Sequence, residues 1–331
     1  MTTPDHILIV FNPKAGAVDR IELLHSLCNR LVGLGFFVQL ISDLNELEHR
    51  AAELCRAGRL RLIVSAGGDG TLSAIAERTT SDTCLAVFPL GTENLMAKWL
   101  GATTDLELFA AAVATHRTRT IDAALANGRL ALITIGVGFD AEVVREVHSK
   151  RTGHITKWSY AWPIWRTFWR YRFPKFKIQL DGWRPRSSTS SEVAELEQSQ
   201  SKHWVAPWVF VANLPLYAGG LSLIPSAEPS DGVLDIASLR GSGRIRGLWY
   251  ALWIALRRHV HLSDFTAFQA EKIRIESSRP VGYQIDGDFG GELPLEIRVQ
   301  KNRIKLLAFD HHIHPRIDCK NVSPGSAVSS N

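Results

Sequence analysis

The sequence predicts two units: an α/β domain built on a mostly parallel sheet over residues 1–122, then an antiparallel β-sandwich over 123–309. Three observations predict it. Up to Asp122, strand-like apolar runs alternate with stretches whose apolar residues recur at helical spacing, as in a parallel sheet covered by helices. Beyond it, many short strand candidates follow one another, which suits a sandwich. The 331 residues accommodate both units at roughly 100–200 residues per domain.

The first strand is 7–11, Ile-Leu-Ile-Val-Phe, and Ile21, Leu24, Leu27 and Leu31 then mark a helix. Strands follow at 36–41, 61–65 and 85–89, each separated by a helical segment. Asn127-Gly128 lies between two apolar stretches and predicts a tight hairpin, because both central residues of that turn need positive φ. Further strands are expected at 176–180, 208–213, 233–239, 265–275 and 282–285, with a final pair at 295–299 and 304–309. The stretch 184–202, rich in Ser, Gln and Glu, reads as a mobile hairpin tip. From residue 310 periodicity is lost, so a disordered tail is expected at 310–331; its Asp310-His-His-Ile-His314 cluster suits a metal less well than it suits a solvated terminus.

Hydrophobic content of 45% and charged content of 21% argue against overall disorder. The formal charge of +5 points to an anionic partner, whether phosphate-bearing small molecule, acidic lipid or nucleic acid. No signal peptide and no membrane span is expected, since no stretch of about 18 uncharged apolar residues occurs. Cys28, Cys55, Cys84 and Cys319 are widely spaced, without a Cys-x-x-Cys pair, so a reduced cytoplasmic protein with buried thiols is expected rather than a zinc or dithiol site.

Three loops fall where strands of the first unit end: Asn12-Pro-Lys-Ala-Gly16, Gly67-Gly68-Asp69-Gly70-Thr71 and Pro89-Leu-Gly91-Thr92-Glu-Asn94. Each joins a strand to a helix and can aim main-chain N–H groups at phosphate oxygens. A turn needs no carboxylate, and an acid beside phosphates repels them unless a divalent cation intervenes. Asp69 therefore reads as a Mg²⁺ or hydroxyl partner, with capping of the following helix as the alternative. Neither a P-loop nor a Gly-x-Gly-x-x-Gly fingerprint is present.

These three loops resemble, in order and spacing, the diacylglycerol kinase catalytic-domain family, which includes sphingosine kinases and bacterial lipid kinases. The resemblance continues through Gly136-Val-Gly-Phe-Asp140-Ala-Glu142, Asn213 with Tyr217-Ala-Gly-Gly-Leu221, Asp231-Gly-Val233-Leu-Asp235 and Gln284-Ile-Asp-Gly-Asp288. It implies an N-terminal domain like that of NAD kinase and phosphofructokinase, a C-terminal β-sandwich, and ATP in the cleft between them. It implies that Asn12, Gly67, Gly68, Gly70, Thr71, Gly91, Thr92 and Asn94 bind nucleotide. Asp69, Asp140 and Asp288 would be catalytic, with Asp69 and Asp288 also reaching Mg²⁺, and Asp231 with the Val233 carbonyl would resemble a structural metal site. Ala74 and Leu95 stand where many relatives carry acids.

The activity implied is transfer of the ATP γ-phosphoryl group to a lipid hydroxyl, with Asp69 as base and Asp140 orienting it. Lys150, Arg151 and Lys157 are expected near the transferred phosphate. The alternatives are an NAD kinase-like enzyme and a nucleotide-regulated lipid-binding protein. No nucleic-acid partner is expected; peripheral contact with an anionic membrane at the cytoplasmic face is. Trp158, Trp162, Trp165 and Trp169 would share one side of a helix with Arg166, Arg170 and Arg172 nearby, although Pro163 interrupts the run. A second segment, 248–258, also carries an apolar face with Trp249 and Trp253, and there packing in the core is the expectation.

Overall fold

The computed structural model describes residues 4–12, 18–149, 161–185 and 201–309. The expected positions 13–16, Lys150, Arg151, Lys157, Trp158, the side chains of Trp162 and Pro163, the 186–200 stretch and the tail with Cys319 lie outside the described residues.

The first part of the chain runs β1 (His6–Phe11), α1 (Val18–Gly33), β2 (Phe37–Ile41), α2 (Leu44–Arg56), β3 (Leu60–Gly67), α3 (Asp69–Glu77), β4 (Cys84–Pro89), α4 (Leu95–Leu100) and α5 (Leu106–Thr115). The middle holds β5 (Thr118–Ala126), β6 (Arg129–Ala131), β7 (Thr134–Gly138), α6 (Phe139–Ser149), α7 (Ala161–Arg170), β8 (Phe176–Asp181) and β9 (Arg184–Pro185). The last part holds β10 (Ser201–Ala206), β11 (Trp208–Ala212), β12 (Leu234–Leu239), α8 (Arg244–Ala255), β13 (Phe265–Ala270), β14 (Lys272–Glu276), β15 (Gly282–Ile285), β16 (Asp288–Glu292) and β17 (Leu295–Leu307).

β2, β1, β3 and β4 lie side by side and parallel, as the α/β alternation predicts. Their runs are apolar without alternation because both faces are covered. Ile7 and Ile9 of β1 pack under α1 and α5 with Leu24, Leu27 and Phe109, whereas Leu8 and Val10 pack on the opposite side with Leu47, Leu54, Ile75 and Met96. Ile21, expected on the buried stripe of α1, is 47% exposed. Of the described thiols, Cys84 is buried, Cys28 is half-buried and Cys55 is exposed, so the expectation of buried thiols fails at Cys55.

The second sheet, β16-β15-β7-β11-β12-β13-β9, is antiparallel and packs its inner residues Ile135, Val137, Val209, Val211, Leu234 and Ile236 against β8, β14 and β17. Its outer residues Trp208, Phe210, Ala237 and Leu239 meet Phe173 and Tyr250 beneath α7 and α8. Asn127 and Gly128 have φ of 45° and 87° and join β5 to β6 in the predicted hairpin.

Two strand boundaries differ from expectation. The run 265–275 is two strands in different sheets, β13 and β14, with the chain crossing between layers at Glu271. The expected pair 295–299 and 304–309 is one strand, β17, kinked between Gln300 and Ile304, where Asn302 takes φ 53°. β17 pairs with β14 near its start, with β5 along its length and in parallel with β4 near its end. The last strand of the sandwich therefore extends the first sheet, and residue 122 lies inside β5 rather than at a linker.

Candidate active site

Parallel order fixes where the loops gather. Phe11 pairs with Ala66 and Gly67 with Pro89, so Asn12 and the turns after β3 and β4 leave the carboxyl ends of three adjacent strands. Asn12, Gly70 and Thr92 are exposed along this rim. The Leu90 and Gly91 N–H groups both donate to the Gly67 carbonyl, at 3.1 and 3.2 Å. A Cβ on Gly91 would lie 2.4 Å from the Gly68 Cα and 2.6 Å from the Asn94 Oδ1. The glycines are there because two main chains cross in contact. Asn94, at φ 49°, closes its own turn by donating from Nδ2 to the Gly91 carbonyl (2.9 Å) and accepting at Oδ1 from the Gly91 N–H (3.0 Å).

Asp69 does cap a helix, but not the one it begins. Its Oδ2 accepts from the Leu95 N–H at 2.9 Å and its Oδ1 from the Met96 N–H at 3.0 Å, so it caps α4 from the first turn of α3. The Leu95 contact uses main chain, which makes the side chain at that position immaterial to it. The N-terminus of α3 itself begins at Gly68, which supplies no side-chain cap. Burial pushes the Asp69 carboxyl above the usual range, opposed by the two amide bonds.

Asp286 enters from the sandwich. With Gly287 it forms the two-residue turn between β15 and β16, at φ 49° and 88°. Its Oδ1 accepts from the Ile133 and Thr134 N–H groups, each at 2.9 Å. Its Oδ2 accepts from the Leu132 N–H at 2.7 Å and from Ser73 Oγ, one turn along α3 from Asp69, at 3.2 Å. Burial raises its carboxyl to about 6, and the Asp69 charge pushes the same way. Asp286 thus closes the distance between the two halves of the chain. Asp288, the acid singled out from the sequence, is exposed at the start of β16.

Asp140 stands in the first turn of α6. Tyr217 OH donates to its Oδ1 and Gln284 Nε2 to its Oδ2, the latter at 2.9 Å, while Gln284 Oε1 accepts from the Gly287 N–H at 2.7 Å. A chain of hydrogen bonds therefore runs from Tyr217 through Asp140 to the Asp286 turn. Burial raises both Asp140 and Tyr217 above their ordinary ranges. Asp231 lies on a separate loop, its Oδ1 accepting from the Val233 N–H and its Oδ2 from Gln269.

Among the described residues no three His, Cys, Asp or Glu side chains gather as a metal cage. Both Asp286 oxygens already accept two bonds each, whereas each Asp69 oxygen accepts one, so Asp69 is the carboxylate of the two that fits Mg²⁺, which commonly takes one or two carboxylates plus substrate phosphates. Sequence reasoning missed Asp286, Tyr217 and Gln284 as parts of this site. The Asp-Gly dipeptide was the available signal, since it marks a tight turn whose first residue faces inward here.

Residues 6–126 match the family model described as the diacylglycerol kinase catalytic domain, and residues 133–308 match the YegS C-terminal NAD kinase beta sandwich-like domain. The chain is 27% identical over 309 residues to a diacylglycerol kinase of Mycobacterium tuberculosis, spanning 91% of this chain and 94% of that one. It is 25% identical over 295 residues to a diacylglycerol kinase of Bacillus subtilis, spanning 87% and 91%. A crystal structure of a diacylglycerol kinase from Bacillus anthracis superposes with a TM-score of 0.65 over 93% of this chain and 98% of that one, at 22% identity, and so shares the fold.

Proposed function

Because the chain belongs to the diacylglycerol kinase catalytic-domain family, with its YegS-type sandwich, we propose that it is an ATP-dependent lipid kinase. It transfers the γ-phosphoryl group to the hydroxyl of diacylglycerol, a sphingoid base or a related lipid. The observation that carries this reading is the locked pair of loops at 67–71 and 89–94, which leaves the α3 N-terminus without a side-chain cap while its acid serves α4. An uncapped helix start on an open rim suits a phosphate chain.

In this reading residues 1–122 hold nucleotide and 123–309 hold lipid. Main-chain amides of Gly67, Gly68 and Gly70 hold phosphate with Thr71, Gly91, Thr92, Asn94 and Asn12 around them. Asp69 and Asp288 would hold Mg²⁺, which when bound neutralises phosphate charge, while Asp286, its oxygens filled by four donors, holds the two halves of the site together. Phosphoryl transfer needs alignment and charge neutralisation more than covalent help. Asp69 takes the acceptor's proton on a lone pair left by its amide bonds, and Asp140, fixed by Tyr217 and Gln284, orients the hydroxyl. A lipid acceptor gives the enzyme peripheral contact with anionic headgroups at the cytoplasmic face.

The test is labelled ATP with a lipid panel and with NAD. Label in a lipid phosphate is expected. Label in NAD phosphate, or no transfer to any lipid, overturns the assignment.

A further inference from the structure

The segment 248–258, expected in the core, is not there. α8 buries Gly247 and Tyr250 and turns Ile245, Leu248, Leu252 and the following Leu256 outward, 88%, 63%, 50% and 57% exposed. These positions follow helical spacing, so they form one stripe. Beside it, α7 exposes Trp165 (55%) and Trp169 (49%), and Arg244 of α8 stacks 5.9 Å from the Trp169 ring. The two helices, in contact through Arg244 and Trp169, thus both turn large apolar side chains to the surface, as interaction sites do.

The charge around that face has one sign. No Asp or Glu occurs between Glu146 and Asp181, the segment that carries α7, nor between Asp235 and Asp264, the segment that carries α8. Among the described residues, α7 and the residues just after it carry Arg166, Arg170 and Arg172, and α8 with the residues just after it carries Arg244, Arg246, Arg257 and Arg258. Among the described residues, Glu146 lies 3.5 Å from Arg166 and Asp264 lies 2.9 Å from Arg246.

We propose that the outward faces of α7 and α8 dock on a bilayer rich in anionic phospholipid. A bilayer as occupant rests on the lipid-kinase reading; the charge argument does not. Two copies packed through this face would bring like-charged arginines together, which disfavours a dimer. A bilayer instead takes the Leu, Ile and Trp side chains below the headgroups and leaves the arginines among phosphates, each worth about fivefold in partitioning. The inner side of the face packs toward the site. Phe168, on the inner side of α7, packs edge-on against Phe139, which precedes Asp140. Gly247 lets α8 approach Phe173, Phe168 and Trp208, which a Cβ there would meet at 3.0–3.2 Å.

The test is co-sedimentation of the full chain, without ATP, with phosphatidylcholine vesicles with and without phosphatidylglycerol. Wild type is expected to sediment with the anionic vesicles and to be released by salt. The doubly substituted Leu248→Asp, Leu252→Asp protein, altered only at exposed positions, is expected to bind at least tenfold more weakly with an unchanged melting temperature. Equal binding by that variant overturns the proposal. So does vesicle indifference of wild type accompanied by self-association or by binding to single-stranded nucleic acid. A protein that binds vesicles through this face yet phosphorylates no lipid would leave the surface standing and remove the kinase reading.

Discussion

Two glycines in the converging loops separate a structural demand from a functional one. Gly91→Ala puts a methyl 2.4 Å from the Gly68 Cα and 2.9 Å from its N, against an ordinary carbon contact of about 3.5–4.0 Å. The obstacle is main chain, so it cannot swing aside, and the loops must part by about 1 Å. Overpacking of this kind costs about 1–3 kcal/mol, or about 2–4 °C of melting temperature per kcal/mol in a domain of this size. A displacement of about 1 Å at the reacting groups lowers turnover about 100-fold. Gly70→Ala is the counterpart. Nothing lies within 4 Å of a Cβ there, and the residue is helical, so alanine should stabilise by about 0.5–1 kcal/mol. If that open space is where phosphate sits, the same methyl weakens ATP binding at least tenfold. The assay is thermal melting with and without ATP, since ligand binding raises the transition by mass action, followed by labelled-phosphate transfer. A Gly91→Ala protein with wild-type melting and turnover, or a Gly70→Ala protein with wild-type ATP stabilisation, refutes the geometry of the site.

Asp69→Asn keeps one amide acceptor and turns an NH₂ toward the other buried N–H, costing about 1–3 kcal/mol by melting, and lowers turnover at least about 100-fold; wild-type values for both would remove Asp69 from the site. Asp286 gives a pH signature: its folded carboxyl titrates near 6 against 3.8 unfolded, so its contribution is full below 3.8 and lost as pH rises through 6. At about 1.4 kcal/mol per pH unit the window is worth at most about 3 kcal/mol, and the stability of wild type minus Asp286→Asn should grow on going from pH 7 to pH 4. Tyr217→Phe removes a bond that lowers the Asp140 carboxyl, so the acid limb of kcat/KM should move to higher pH, and an unmoved limb would detach Asp140 from the reaction.

Most of the fold was legible because its signals are local. Runs such as 7–11 are apolar on both faces, and Asn127-Gly128 specifies its turn without help from elsewhere. What escaped is non-local. Nothing in 265–275 says that the chain changes sheets at Glu271, since both halves suit a strand equally, and nothing in 304–309 announces a parallel partner at residues 84 and 85. The apolar face of α8 misled for a related reason: helical periodicity marks a face to be covered and leaves open whether protein or lipid covers it. At the site, the loops were readable from Gly and Asn in strand-to-helix turns, whereas Asp286 was hidden by Asp288, an equally acidic neighbour two residues on.

The use of Asp69 to cap α4 leaves the start of α3 without a side-chain cap. Gly68 supplies no side-chain cap to α3, a Cβ there would lie 3.3 Å from the Gly91 Cα, and the Asp69 charge adds to burial in raising the Asp286 carboxyl. An occupant carrying phosphates and a divalent cation would complement both features. Phosphate oxygens would accept from the first N–H groups of α3, and the cation would offset the Asp69 charge. The carboxylate that could have blocked the helix start is instead drawn aside by two amides of α4, fixed at 2.9 and 3.0 Å before any ligand arrives. A pair of loops held by main-chain contact loses little freedom on binding, which is where preorganised electrostatic catalysis gains its advantage.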